Sequence, residues 1–218
     1  MNYRSSSQAA EEIVNTIINA GGRAISIQAD VSSLDQVKNL VSQSLDIFDS
    51  IESVVNNASP EILIKDFIEM DWADIQEQID VHLKGAFNIC KVIIPHFLER
   101  NRGSIVNIGS VYSTNVPPIK MSAYCLCKAA LGSLTRCLAA EYGPKGIRVN
   151  MVSPGMTQTD LIANVPQKTK IITKMNTPLR RLGDPKWVAG TIAFLIGDES
   201  AHITGQNLSV CGGISMNS

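Results

Sequence analysis

The chain has 218 residues, 44% of them hydrophobic and 18% charged, with 19 basic residues against 20 acidic and a net charge of −1. That is enough chain for one domain with a sizeable core, and the near-neutral balance leaves no basic footprint for nucleic acid. The longest apolar stretches are strand-length and broken by polar residues, and the first residues lack a signal-peptide core, so a cytoplasmic protein without a membrane span is expected.

Helical and strand patterns alternate along the chain. Ser6 to Ala20 is an amphipathic helical pattern (Ala9, Ala10, Ile13, Val14, Ile17, Ile18) stopped by Gly21-Gly22, and Ala24 to Ala29 reads as a strand. Ser33 to Phe48 is the next predicted helix and Ser53 to Asn56 a short buried strand. Trp72 to Arg100 reads as one long helical region. A β-branched strand from Ser104 to Ile108 follows, then a helix from Ser122 to Tyr142 and a strand from Arg148 to Val152. A helix from Lys186 to Ile196 and a strand from Leu208 to Cys211 close the pattern. Strands separated by helices of this length predict an α/β fold: a single Rossmann-like, doubly wound parallel sheet with right-handed crossovers over residues 1–218. Such a sheet normally opens with a strand, a Gly-rich turn and a helix whose amino end receives a pyrophosphate. Here the early glycine pair, Gly21-Gly22, follows a helix and precedes a strand, the wrong order for a phosphate loop. Cysteines at 90, 125, 127, 137 and 211 form no Cys-x-x-Cys pair and have no histidine at ligand spacing, so neither a metal site nor a disulfide framework is expected.

Ser110 lies just past the carboxyl end of the Ser104–Ile108 strand, where open α/β sheets carry their chemistry. Tyr124 and Lys128 are one turn apart on one helical face, which sets a phenol beside an ammonium. A cation ~4 Å away at an effective dielectric of ~20 is worth up to ~4 kcal/mol, roughly three pKa units, and would let the phenol exchange protons near neutral pH. A carbonyl reductase needs such an acid as its alkoxide develops, with a serine hydroxyl holding the carbonyl oxygen. Tyr and Lys at this spacing also occur as plain structural pairs.

Ser110, Tyr124 fourteen positions on, and Lys128 one turn later resemble the Ser, Tyr-x-x-x-Lys signature of the short-chain dehydrogenase/reductase family, in particular its 3-oxoacyl-[acyl-carrier-protein] reductase-like members. The similarity continues at Asn56-Asn57-Ala58-Ser59, at Ile147 to Gly155 and at Ile203 to Gly213. It implies Tyr124 as acid/base, Lys128 as its electrostatic partner and Ser110 as carbonyl anchor, with Tyr124 and Lys128 also against the cofactor. It implies that Arg4 pairs with a 2′-phosphate, favouring NADP(H) over NAD(H), although a solvated Arg near a terminus is the plainer alternative. Asp30 and Val31 match the adenine position, and Asp30 can equally cap the helix starting near Ser33. Asn56, Asn57 and Ala58 match the turn that contacts the cofactor ribose. Ser59 stands where the family has Gly, at a cost of about 1 kcal/mol if that backbone needs a positive φ. Pro154, Gly155 and Thr157 match the segment against the nicotinamide carboxamide. His82 stands where the family has Asn, whose main-chain carbonyl holds a water behind the catalytic lysine; the carbonyl survives the change, and the alternative is an imidazole that carries protons itself.

By the same resemblance, residues 156–181 form the substrate lid. From Leu161 to Arg181 it carries Lys168, Lys170, Lys174, Arg180 and Arg181 and no acidic residue, which suits an acidic carrier protein or a phosphorylated thioester arm, or is simply a solvated face. The implied substrate is a small ketone or an acyl thioester, including one held on an acyl carrier protein. Small residues at Ala129, Ala130, Gly132 and Ser133 suit the helix packing of a homodimer or homotetramer. The family's opening strand, Gly-rich turn and first helix have no counterpart here. The expectation is therefore an N-terminally incomplete chain, through truncation or a start codon assigned too late, with a genuinely short, inactive scaffold as the alternative.

Overall fold

β-branched residues recur in the strands that meet at the centre of the molecule. The computed structural model describes residues 1–216. Four strands, β3 (Ser53–Asn56), β4 (Gly103–Ile108), β5 (Ile147–Pro154) and β6 (Asn207–Val210), form a parallel sheet in the order β3-β4-β5-β6. Asn56 pairs with Asn107, Asn107 with Met151, and Met151 with Asn207, so the carboxyl ends of the strands finish along one edge. Two shorter strands, β1 (Asn2–Tyr3) and β2 (Ile27–Gln28), pair in parallel as a separate sheet. The single sheet expected from the sequence is thus divided among the described residues, and the strand expected over 24–29 contracts to two residues.

Helices cover both faces. On one, α2 (Leu34–Phe48), α4 (Gly85–Arg100) and α5 (Ser122–Tyr142) bury Val41, Ile93, Phe97 and Ala139 against Ile105, Ile147 and Val149. On the other, α7 (Pro185–Ile196) sets Leu195 against Val106 and Val152. The alternation of Ile105 and Val106 to opposite faces is the period-two geometry of a strand buried on both sides. α1 (Ser7–Asn19) differs: it buries Ala10 and leaves Ile13, Ile17 and Ile18 exposed.

Two local features place the functional edge. The long helical region expected over 72–100 is interrupted: α3 (Trp72–Ile79) runs into a π-turn at Asp80–Lys84 before α4 begins. Gly85 ends that turn where the chain passes close to the loop after β2; a Cβ there would meet Val31 Cγ2 at 2.6 Å. Beneath the edge, a buried polar chain links three elements. Asn56 Nδ2 donates to Asn107 Oδ1 at 2.8 Å, Asn107 Nδ2 donates to Thr135 Oγ1 at 2.9 Å, and Thr135 Oγ1 donates to the Leu131 carbonyl at 2.9 Å. Satisfied polar groups in a dry interior resist any change of register, because a slip leaves them unpaired. No helix among the described residues is long and apolar enough to cross a membrane.

The packing at the start of β4 is tight enough to test. Gly103→Ala would bring a Cβ to 2.3 Å from the ring of the fully buried Phe97, and the expected loss is about 1–3 kcal/mol in urea melts. Gly190→Ala, in an exposed turn of α7 with nothing within 4 Å of the new methyl, is expected to gain about 0.5–1 kcal/mol.

Candidate active site

Ser110 lies two residues past β4 with an extended backbone (φ −158°, ψ 144°). Its Oγ accepts from the Tyr112 N–H at 3.2 Å, and its carbonyl accepts from Ser113 Oγ at 2.7 Å, so a short turn holds the hydroxyl at the sheet edge. α5 starts at Ser122 and returns across that edge. Tyr124, in its first turn, is 7% exposed, and its phenol lies near enough to the Ser110 hydroxyl for that group to favour its ionised form. Lys128, one turn later, is 4% exposed; its Nζ donates to the Ile108 carbonyl at 2.7 Å and lies 5.8 Å from the Tyr124 ring centroid. The three residues expected to act together are adjacent in space.

Their electrostatics differ from the sequence expectation. The phenol is not lowered by its neighbour: burial pushes Tyr124 up to about 12, and the nearby Ser110 hydroxyl opposes this only in part. Burial likewise brings Lys128 down to about 8. The ammonium lies 5.8 Å from the ring centroid and donates to the Ile108 carbonyl, and desolvation is the largest cause of the shift in both groups. Both groups move toward their neutral forms. Neither neighbouring thiol is activated, since burial raises Cys125 and takes Cys127 up to about 11.

The remaining predicted site residues fall into distinct settings. Val31, Asn56, Ala58, His82 and Lys128 line one small cavity, with room of about 20 Å³ for a solvent-sized molecule. Asn56 faces inward, its amide committed to Asn107 and to Cys90 Sγ at 3.8 Å, so it orders the strands. Asn57 and Ala58 are exposed, as is Ser59, which is not among the residues with positive φ; the strain anticipated there is absent. Asp30 Oδ1 accepts from the backbone and hydroxyl of Ser32, closing a turn ahead of α2; it does not cap the helix, whose N-cap is Ser33. Arg4 is exposed at the end of β1, near enough for its charge to lower Asp30 further. Pro154 ends β5, and Thr157 Oγ1 donates to the Gly155 carbonyl at 3.0 Å.

The segment after β5 leaves and re-enters at one point. Gln158 N–H donates to the Gly183 carbonyl and Gly183 N–H to the Met156 carbonyl, at 3.0 and 2.8 Å. Between these ties lies α6 (Gln167–Asn176), an element absent from the sequence-based expectation. A groove of about 570 Å³ runs along it, with Lys170, Lys174, Arg181 and Asp160 among its walls. The Arg181 guanidinium stacks 4.4 Å from the Trp187 ring centroid.

These residues fit the ribose and nicotinamide end of a dinucleotide. Lys128 keeps ammonium protons beyond the one given to Ile108, next to a phenol and a hydroxyl at the end of β4. For the pyrophosphate, the sequence offers no Gly-rich turn between a strand and a helix. Sequence reasoning missed the Ile108 carbonyl that receives Lys128, which leaves no side-chain signature. It also missed the role of Asn107, although an Asn inside an otherwise apolar strand was a legible signal.

The chain is similar to known proteins over nearly its whole length. A family model described as Enoyl-(Acyl carrier protein) reductase matches residues 2–215. The chain is 37% identical to 3beta-hydroxysteroid dehydrogenase 1 of Eggerthella lenta over 221 residues, covering 99% of this chain and 83% of that protein. It is 37% identical to a 3-oxoacyl-[acyl-carrier-protein] reductase of Synechocystis sp. over 219 residues, covering 99% and 86%. A gluconate 5-dehydrogenase from Burkholderia cenocepacia J2315, solved in complex with NADP and tartrate, superposes with a TM-score of 0.91 at 26% identity, covering 98% of this chain and 84% of that one.

The buried ammonium makes a prediction about stability. Between about 8 and the ordinary 10.5, the folded chain holds fewer protons at Lys128 than the unfolded chain. The cost of burying the charge is therefore fully present below that window and disappears as pH rises through it. Relative to Lys128→Met, the wild type should gain up to about 3 kcal/mol between pH ~7 and pH ~10.5 in urea melts; a constant difference would refute the burial of a charged group.

Proposed function

The chain belongs to the short-chain dehydrogenase/reductase family of oxidoreductases, and we propose that it reduces a ketone or a 3-oxoacyl thioester to the hydroxy compound with NADP(H). The observation that carries this reading is the adjacency of Ser110, Tyr124 and Lys128 at the end of β4. Ser110 anchors the carbonyl oxygen. Tyr124, protonated across the neutral range because burial holds it near 12, donates its proton to that oxygen as negative charge builds. Lys128 stabilises the phenolate left behind and, near 8, is matched to returning a proton to it. His82, edge-on to the Tyr124 ring with centroids 5.5 Å apart, completes the set of catalytic-site residues. The nicotinamide, when bound, supplies the hydride.

Arg4, as an exposed cation near Asp30, supports NADP(H) as the cofactor. Asp30, Val31, Asn57 and Ala58 are assigned to the adenosine half, and Pro154, Gly155 and Thr157 to the nicotinamide side. Residues 156–181 form the lid, and its cations favour a substrate with an acidic carrier or a phosphorylated arm. The half-exposed Phe87 and Leu126 on α4 and α5 suit a homodimer or homotetramer, and five free cysteines suit a reducing cytoplasm. The alternative is a scaffold of the same fold that binds no dinucleotide. Titration with NADPH separates the two, since a scaffold leaves the nucleotide fluorescence unchanged.

A panel of acetoacetyl thioesters, 3-ketosteroids and keto acids, followed by NADPH absorbance, tests the reaction. Tyr124→Phe should lower kcat about 10²–10⁴-fold. Arg4→Ala should raise the KM for NADPH about tenfold and leave that for NADH in place; equal effects on both would remove the NADP assignment.

A further inference from the structure

α6 is a helix without a partner. None of its ten residues is buried, and Ile171, Ile172 and Met175 stand exposed on it among Lys168, Lys170 and Lys174. A helix this short is marginal in water and draws its stability from packing an apolar face. A second uncovered surface surrounds the start of α3 and the loop between Ser110 and Tyr124. Ile64, Phe67 and Trp72 are exposed there, together with Ile68, Val116 and Ile119, the three large apolar side chains that are more than 80% exposed among the described residues. Contiguous apolar surface of this extent marks a place where something docks.

A chain of contacts joins these pieces into one face. Lys65 N–H donates to the Lys120 carbonyl at 3.0 Å and Lys120 Nζ to Asp66 Oδ2 at 2.6 Å, which holds Lys120 in the left-handed region (φ 67°) and ties the Val116–Ile119 loop to residues 64–68. Asn115 Nδ2 donates to Ser215 Oγ, a Cβ on Gly213 would meet Pro178 Cγ at 2.9 Å, and Leu179 N–H donates to the Gly212 carbonyl at 3.1 Å, so the same loop is linked through residues 212–215 to the returning end of the lid. The face has two electrical halves. Residues 61–74 carry five acidic residues and one lysine, whereas residues 161–181 carry five cations and no acid. Asp66 and Asp74 are paired with Lys120 and Lys65, while Glu61, Glu69 and Asp71 are exposed.

We propose that this face is an interface between two copies of the chain, related by a two-fold axis near Val116 and Ile119, in which α6 of each copy covers residues 64–72 of the other. A two-fold contact needs a surface that complements itself, with one half meeting the other half of the second copy. Here an apolar acidic half and an apolar basic half stand on the two sides of an uncharged apolar centre, Val116 and Ile119. At these exposures each large apolar side chain presents on the order of 100 Å², so the ten on this face offer roughly 1,000 Å² per copy, enough for the ~800 Å² of a standard interface. The carboxylates of Glu69 and Asp71, set among the apolar side chains, suit the lysines of a second α6 and oppose an anionic lipid surface. This face is separate from the one that carries Phe87 and Leu126, and it borders the mouth of the candidate active site, because its central loop runs from Ser110 to Tyr124.

The test is sedimentation velocity of the full chain in two charge-reversed forms, one with Glu61→Lys and Glu69→Lys, the other with Lys168→Glu and Lys174→Glu. All four side chains are exposed, so the fold is kept. Each form alone opposes like charges across the axis, and its dissociation constant for this step should rise at least about tenfold, leaving it one association step below the wild type. An equimolar mixture of the two forms should regain the wild-type size, because both contacts of the mixed pair are again complementary. Ile68→Ser should weaken the same step about tenfold or more without a change of charge. A wild type no larger than the charge-reversed forms leaves α6 to close over its own chain and overturns the proposal. A mixture that stays dissociated shows that the two halves do not meet across copies and overturns it as well. Pelleting of a monomeric wild type with vesicles of phosphatidylcholine and phosphatidylglycerol would assign the face to a lipid surface instead. Size is read without turnover, so the outcome stands whether or not the chain reduces a carbonyl.

Discussion

The bond from the Lys128 ammonium to the Ile108 carbonyl holds the site together. An ammonium at 4% exposure is among the most expensive groups to bury, and it is tolerated because it reaches the last carbonyl of β4 at 2.7 Å. That bond fixes α5 against the end of β4. Tyr124, one turn earlier on the same face, is thereby set against Ser110, which follows the same strand. Asn56, Asn107 and Thr135 do the same job one layer lower, so β3, β4 and α5 cannot slide past one another without orphaning buried amides. Position in this site comes from backbone carbonyls and interior amides as much as from the reacting groups.

Desolvation, not charge pairing, sets the resting electrostatics. The same burial raises the phenol to about 12 and lowers the amine to about 8, leaving a protonated acid beside a lysine within reach of neutral pH. Such a pair is poised to deliver a proton only when negative charge appears on a neighbouring oxygen. In a dry site, fixed dipoles and a held cation stabilise that charge more strongly than water would.

The fold was largely legible because strand-length stretches with β-branched residues, such as Ile105-Val106 in β4 and Val149 and Val152 in β5, fit a doubly covered strand best. The site was legible in outline, since the position of Ser110 after a strand and the four-residue step from Tyr124 to Lys128 are local properties of the chain. What escaped was decided by contacts between distant segments. The π-turn at Asp80–Lys84 keeps a helical composition, and its distortion accompanies the close passage of Gly85 against Val31. The inward turn of Asn56 depends on Asn107, fifty-one residues away. The direction of the Tyr124 shift depends on how deeply α5 packs, which periodicity does not report. The division of the strands into two sheets likewise reflects tertiary pairing that β-propensity in Ala24 to Ala29 does not encode.

The central claim is that Lys128 is a charged group sealed under the end of β4, and its own titration tests that claim most directly. In protein carrying ¹³C at the lysine Cε, with the Lys128 resonance assigned by its loss in Lys128→Met, the account predicts a midpoint near 8, well below the ordinary 10.5. A midpoint at the ordinary value, indistinguishable from the surface lysines, would mean that the ammonium is solvated and would contradict the geometry on which the proposed reaction rests.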